Sequence, residues 1–157
     1  MLTGEQKNGI IKKINAYNSA EKRDTMKKIT VHASHTYPIY VQNGLLAECG
    51  NYIQQNTKAA SLAVITDDIV QKLYGDTVLS AIHKAGFRTE LFVFPNGEAS
   101  KCAKTLLDVY DFLCEKQFTR TDAIVALGGG VVGDLAGFAA ATYLRGMDFI
   151  QIPTTLL

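Results

Sequence analysis

Apolar and polar positions follow two different rhythms along this chain, and the rhythm switches repeatedly from residue 26 onward. Ile29–Ala33 and Pro38–Gln42 read as two short strands joined by a turn at His35-Thr-Tyr. Leu45, Leu46, Cys49, Tyr52 and Ile53 then fall on one helical face within residues 44–56. Leu62–Thr66 is a short apolar run of the kind expected in a strand buried on both faces, followed by a helix over Asp67–Ala85 that Gly86 ends. The same pairing recurs twice. Strand Thr89–Phe94 precedes helix Ser100–Phe118, with Ser100 as its N-cap, and strand Ala123–Leu127 precedes a helix over Val131–Thr142. A last strand, Asp148–Ile152, closes the series. Strands alternating with helices predict an α/β fold: a Rossmann-like parallel sheet with flanking helices, preceded by an N-terminal strand pair.

Residues 1–25 break this pattern. Lys7, Lys12, Lys13, Lys22 and Arg23 mix with Asn and Gln around a weak stripe of Ile10, Ile14 and Tyr17. Glu5, Glu21 and Asp24 argue against a transit peptide, so the segment reads as a solvated N-terminal extension, with the folded domain over residues 26–157. The 157 residues suffice for one domain with a sizeable core. A formal net charge of +1 gives no reason to expect nucleic acid or an anionic membrane as partner. No apolar run is long enough to span a bilayer, and Cys49, Cys102 and Cys114 show neither metal nor redox spacing. The expectation is a cytoplasmic protein with reduced thiols.

Candidate chemistry collects where the strands end. Gly128, Gly129 and Gly130 lack a Cβ, and the helix after them turns its free N–H groups and positive dipole end toward the loop. Such a loop is either a seat for phosphate groups or a tight strand-to-helix turn. Asp134 is a carboxylate placed by sequence in the first helical turn, within reach of a sugar hydroxyl. Gly128-x-Gly130-x-x-Gly133 matches the dinucleotide fingerprint, but Asp148, twenty residues on, starts a strand where the fingerprint's acid ends one. A parallel sheet brings three further loops to the same edge: Thr66-Asp67-Asp68, Pro95–Lys101 and Pro153-Thr-Thr155. Asp67 could accept bonds from ribose hydroxyls or cap the helix it precedes. Glu98 and Lys101 could hold a ligand or form a solvated ion pair.

Five motifs carry a resemblance. Pro95-Asn-Gly-Glu-x-x-Lys101, Gly128-Gly-Gly-Val-Val-Gly-Asp134, Gly137-Phe-Ala-Ala-Ala, Tyr143-x-Arg-Gly and Phe149-Ile-Gln-Ile-Pro-Thr-Thr-Leu-Leu157 closely resemble the 3-dehydroquinate synthase family, in its order and spacing. The match covers the family's N-terminal, NAD-binding half. It implies conversion of 3-deoxy-D-arabino-heptulosonate 7-phosphate to 3-dehydroquinate and phosphate, with NAD oxidising a ring hydroxyl so that phosphate can leave, and then returning the hydride. By the same resemblance, Asp67, Asn96, Gly97, Glu98 and Lys101 would hold the cofactor's ribose end. Gly129, Gly130, Val131, Val132, Gly133 and Asp134 would hold the pyrophosphate and nearby sugar, and Thr154 and Thr155 the nicotinamide side. Arg145 matches a substrate-binding arginine and suits an anion, since a guanidinium forks onto phosphate or carboxylate.

The family continues into a lysine-bearing loop and a helical C-terminal domain whose glutamate and two histidines hold a divalent metal, zinc or cobalt. That stretch is absent from this sequence, and His32, His35 and His83 lie at no ligand spacing. The expectation is a fragment that binds NAD weakly at most, does not turn over, and contains no catalytic residue and no metal ligand. Apolar surface near Leu156 and Leu157 suggests a homodimer or other self-association. Other sugar-phosphate cyclases, polyol dehydrogenases of related architecture, and a non-catalytic nucleotide-binding module remain alternatives.

Overall fold

A computed structural model describes residues 26–33 and 35–155 of the 157. The expected extension over residues 1–25 and the Leu156-Leu157 pair lie outside the described residues. Strands β1 (Lys27–His32) and β2 (Thr36–Val41) form an antiparallel pair. Helix α1 (Cys49–Asn56) follows a 3-10 turn, Leu45–Glu48. Strand β3 (Ser61–Asp67) leads into α2 (Asp68–Val70), a π-helical segment Gln71–Gly75, and α3 (Asp76–Lys84). Strand β4 (Arg88–Phe94), helix α4 (Ala103–Glu115), strand β5 (Ala123–Gly128), helix α5 (Gly130–Thr142) and strand β6 (Asp148–Pro153) complete the order.

The four later strands make one parallel sheet in the order β4-β3-β5-β6. Strands β3 and β5 are central, which is why they read as uninterrupted apolar runs: Leu62 to Ile65 and Ala123 to Val125 have no solvent exposure. Alternate side chains feed two cores. Leu62, Val64, Val125 and Leu127 pack with Cys49, Ile53, Val78 and Ile82 of α1 and α3. Ala63, Ile65, Ile124 and Ala126 pack on the other face with Val109 and Leu113 of α4 and with the small residues of α5. The chain leaves β3 toward β4 on one side and returns past it to β5 on the other. The order of connection therefore reverses between β3 and β5, and at such a reversal the loops part and leave a crevice at the strands' carboxyl ends.

Several boundaries differ from the sequence reading, two of them with a clear reason. Strand β1 ends at His32, and Thr36 and Tyr37, expected in the turn, are already in β2, opposite His32 and Val31. Pro38 is tolerated there because β2 pairs on one side only, an edge position of the kind where strands accept proline. The second difference concerns Ser100, which does not cap α4. It sits in a 3-10 turn with its hydroxyl donating to the Pro95 carbonyl, and Cys102 takes the N-cap position.

Candidate functional site

All four loops that follow the parallel strands meet at one edge of the sheet, and each joins a neighbour by a specific contact. The Thr154 N–H donates to the Gly128 carbonyl at 3.0 Å, which ties the β6 end to the glycine loop. Asp68 Oδ1 accepts both the Asn96 backbone N–H at 2.7 Å and the Asn96 side-chain amide at 3.0 Å, which ties the β3 end to the β4 end. Lys101 Nζ stands 2.6 Å from Asp134 Oδ2 and 3.5 Å from Glu98 Oε1, joining the β4 loop to α5.

The glycines are required by the space around them. A Cβ on Gly128 would lie 2.4 Å from Val132 Cγ2, inside the core. One on Gly129 would come 2.9 Å from Thr155 Oγ1, where the loop approaches the β6 end. Gly129 caps α5 with no side-chain hydrogen bond, so the first N–H groups of that 13-residue helix have no side chain to accept them. A helix start with a glycine N-cap and no side-chain cap leaves backbone donors that suit a phosphate group without a basic side chain. Gly133 has a different task. Its N–H closes onto the Gly129 carbonyl at 2.9 Å, and a Cβ there would meet Gln151 Nε2 at 2.7 Å, so it is needed where α5 packs on β6. Val132 is fully buried and Val131 partly so; only their backbone can serve a ligand.

Asp67 caps α2: its Oδ1 accepts from the N–H groups of Ile69 at 3.0 Å and Val70 at 2.9 Å. The capping alternative is thus realised, and Oδ2 keeps its lone pairs for a hydroxyl. Asp134 lies one residue past the first turn of α5, which begins at Gly130, and its carboxylate is engaged by Lys101. That pairing, first the hydrogen bond and charge of Asp134 and then Glu98, holds the Lys101 ammonium above the ordinary lysine range. Glu98 and Lys101 are both exposed, so the pair contributes little to stability and remains open to a ligand. Gly97 has φ +104°, ψ 161°, a conformation open to glycine, which turns the chain back toward α5.

Arg145 is not at this edge. Helix α5 runs from the glycine loop to the opposite edge of the sheet, and its 13 residues separate Arg145 from that loop by about 20 Å. There Leu144 and Arg145 adopt φ +48° and +68° before Gly146. Asp148 is at that far edge too, accepting from the Thr57 hydroxyl at 3.1 Å, which agrees with its exclusion as a ribose acid. Sequence reasoning placed Asp68 at this edge but gave it no contact. The doubled Asp67-Asp68 at a strand end was the available signal, but its partner Asn96 lies 28 residues away. The bonds from Asn96 hold the Asp68 carboxyl below its usual range, so the contact adds stability above that range and loses it as pH falls through the lowered value. Among the described residues no group of three His, Cys, Asp or Glu side chains stands together as a metal site, and no helix is long and apolar enough to cross a membrane.

The thiols differ sharply. Burial pushes the Cys49 thiol up to about 11, whereas a hydrogen bond with Thr105 lowers that of exposed Cys102. At pH 8 a disulfide reagent is expected to modify Cys102 fastest and Cys49 only on unfolding, since about one part in a thousand of a thiol with such a raised value is thiolate. Mass mapping of the labelled sites at short times checks the order; early labelling of Cys49 would contradict its burial.

The fold and the closed loop edge place the chain with the sugar-phosphate cyclases. A crystal structure of 2-deoxy-scyllo-inosose synthase complexed with carbaglucose-6-phosphate, NAD+ and Co2+ superposes with a TM-score of 0.73 at 26% identity, covering 83% of this chain and 35% of that one. Glycerol dehydrogenase from Schizosaccharomyces pombe, at 20% identity and a TM-score of 0.55 over 70% of this chain and 26% of that one, shares the fold alone. Within that class the chain belongs, over the stretch it shares with them, to the 3-dehydroquinate synthase family. Residues 91–157 match the family model for the 3-dehydroquinate synthase N-terminal region. The 3-dehydroquinate synthase of Streptococcus suis is 52% identical over 130 residues, 82% of this chain and 37% of the relative. That of Enterococcus faecalis is 46% identical over 132 residues, 84% and 37%. The chain thus spans just over a third of the length of these curated relatives.

Proposed function

We propose that the chain is the NAD-binding part of a 3-dehydroquinate synthase, a phosphate-eliminating enzyme that acts on 3-deoxy-D-arabino-heptulosonate 7-phosphate. The observation that carries this reading is the gathering of four strand-end loops at the edge where α5 starts without a side-chain cap, with Gly129 bare where a Cβ would crowd Thr155. NAD supplies reversible hydride acceptance when bound. The protein's part is to hold it: backbone donors of Gly129 to Val132 on the pyrophosphate, Asp67 Oδ2 with Glu98 and Lys101 on the ribose end, Thr154 and Thr155 at the nicotinamide side. Lys101, already charged and aimed by Asp134, orients an anionic ligand without needing to be ionised by it. The described residues do not fit a divalent metal, so no step is assigned to one here. Arg145 is the substrate-binding candidate, yet its place at the far edge means that a substrate touching both it and the glycine loop needs surface beyond one copy of the described residues.

The chain by itself is proposed not to turn over, to act in the cytoplasm and to self-associate; exposed Leu107, Phe138 and Leu144 support the last point. A chimera tests the functional reading: this chain joined to the remaining part of the Streptococcus suis relative. It is expected to release phosphate from the heptulosonate, while the 157-residue chain alone with NAD and zinc releases none. A folded chimera without phosphate release, or release by the chain alone, contradicts the proposal. The 26% identity to 2-deoxy-scyllo-inosose synthase supports a second cyclase substrate, and a hexose phosphate offered to the same chimera discriminates the two.

A further inference from the structure

Loop 95–101 carries Glu98 and Lys101, and its own hydrogen bonds do not fix where it stands. The Ser100 N–H reaches the Gly97 carbonyl, the Lys101 N–H reaches Glu98, and the Ser100 hydroxyl reaches Pro95; all three bonds are internal. They make the loop a unit but do not tie it to β3 or to α5. Among the described residues, two polar side-chain contacts reach out of the loop. At one end Asn96 is held by Asp68, and at the other Lys101 meets Asp134.

The Asp68 contact is built for holding. One carboxylate oxygen takes two donors from a single residue, the backbone N–H and the side-chain amide of Asn96, so both position and orientation of the loop's first turn are set. Charge-assisted bonds of this type are the stronger class. The two neighbouring carboxylates divide the work, since Asp67 spends its Oδ1 on the start of α2 and so anchors Asp68 beside it. The remaining Asp68 oxygen faces only Lys72, 3.9 Å away and exposed. Nothing in the packing of the core calls for the contact, because both Asp68 and Asn96 lie outside the two hydrophobic clusters.

We propose that Asp68 is a positioning residue of the strand-edge site: by clamping Asn96 it sets loop 95–101 so that Lys101 and Glu98 stand beside the glycine loop. The proposal rests on the nucleotide-site reading for its purpose, but its geometry can be tested without any nucleotide.

The experiment is a nuclear magnetic resonance titration of the Lys101 side chain, with amide exchange at Asn96, in the wild-type chain and in Asp68→Asn, Asp68→Ala and Asn96→Ala. Asp68→Asn keeps an oxygen for both donors and is expected to retain the raised Lys101 titration and most of the Asn96 protection. Asp68→Ala is expected to lose both: Lys101 falls toward the ordinary lysine value, and Asn96 exchanges about tenfold faster or more. Asn96→Ala keeps the backbone bond and should lie between, which covers the case of an alanine at 68 that fails to fold. A purely structural role would change the melting temperature and leave Lys101 alone. An unchanged Lys101 in folded Asp68→Ala, or in Asn96→Ala should that variant alone fold, overturns the proposal. So does Asp68→Asn behaving like Asp68→Ala, which would make charge rather than hydrogen bonding the cause. If the wild-type chain binds no NAD while these shifts appear as expected, the nucleotide reading fails and the clamp stands.

Discussion

Gly129→Val is expected to weaken NAD binding by about tenfold or more, a loss of at least ~1.4 kcal/mol, while the chain still folds. The position is open to this test because its backbone, φ −81° and ψ −163°, is extended and admits any residue. The added side chain would meet Thr155 Oγ1 at 2.9 Å and Thr155 Cγ2 at 3.5 Å, both on an exposed side chain able to turn aside. Folding therefore loses mainly an N-cap glycine, about 1 kcal/mol. The ligand is expected to lose more, because a branched side chain stands beside the first N–H groups of α5, which have no side-chain cap. The neighbouring Gly128→Ala is the contrasting control. Its Cβ would stand 2.4 Å and 2.7 Å from Cγ2 and Cβ of fully buried Val132, and it is expected to lower stability before it affects any ligand. Calorimetric titration alongside thermal unfolding separates the two effects. Equal NAD affinity in Gly129→Val would mean that the phosphates do not lie on this loop.

The largest stability loss is expected far from the site, at Gly50→Ala. Helix α1 crosses α3 there so closely that a Cβ on Gly50 would sit 2.1 Å from the Ala81 carbonyl oxygen, 2.7 Å from its carbon and 3.0 Å from Ala85 Cβ. The obstructing atoms are mainly backbone within a helix and cannot rotate away. The helices must separate, opening the core that Cys49, Ile53, Val78 and Ile82 share beneath the sheet. A cost of about 3 kcal/mol follows, lowering the melting temperature by roughly 6–12 °C for a chain of this size. Thermal unfolding measures it directly, and a shift under ~2 °C would mean that the two helices are packed more loosely than this.

What the sequence made legible follows from burial. Strands β3 and β5 announce themselves because both faces are covered, so their apolar runs are not interrupted. The glycine loop is legible because the demand for no Cβ leaves a mark in residue type. The β1–β2 turn was misplaced because Thr36 and Tyr37, polar enough to suit a turn, sit on a half-exposed strand where alternation is weak. Ser100 resembles an N-cap by type, yet its hydroxyl serves Pro95 and leaves the cap to Cys102. Asp68 and Asn96 could not be paired in advance, since only the β3–β4 register brings Asp67 opposite Phe94 and the two loops together. Arg145 was read from its motif alone, and a residue pattern says nothing of which sheet edge receives it; α5 carries it to the edge opposite the glycine loop.

Binding of NAD at this edge is the central claim, and calorimetric titration of NAD into the 157-residue chain tests it most directly, with Glu98→Ala as the paired control. Glu98 is exposed, and among the described residues its one ion pair is with Lys101, so its loss is expected to leave the fold intact and any change in binding belongs to the site. Weak but saturable binding by the wild-type chain, weakened further in Glu98→Ala, is the predicted result. No binding by a folded wild-type chain, or binding indifferent to Glu98, would contradict the account.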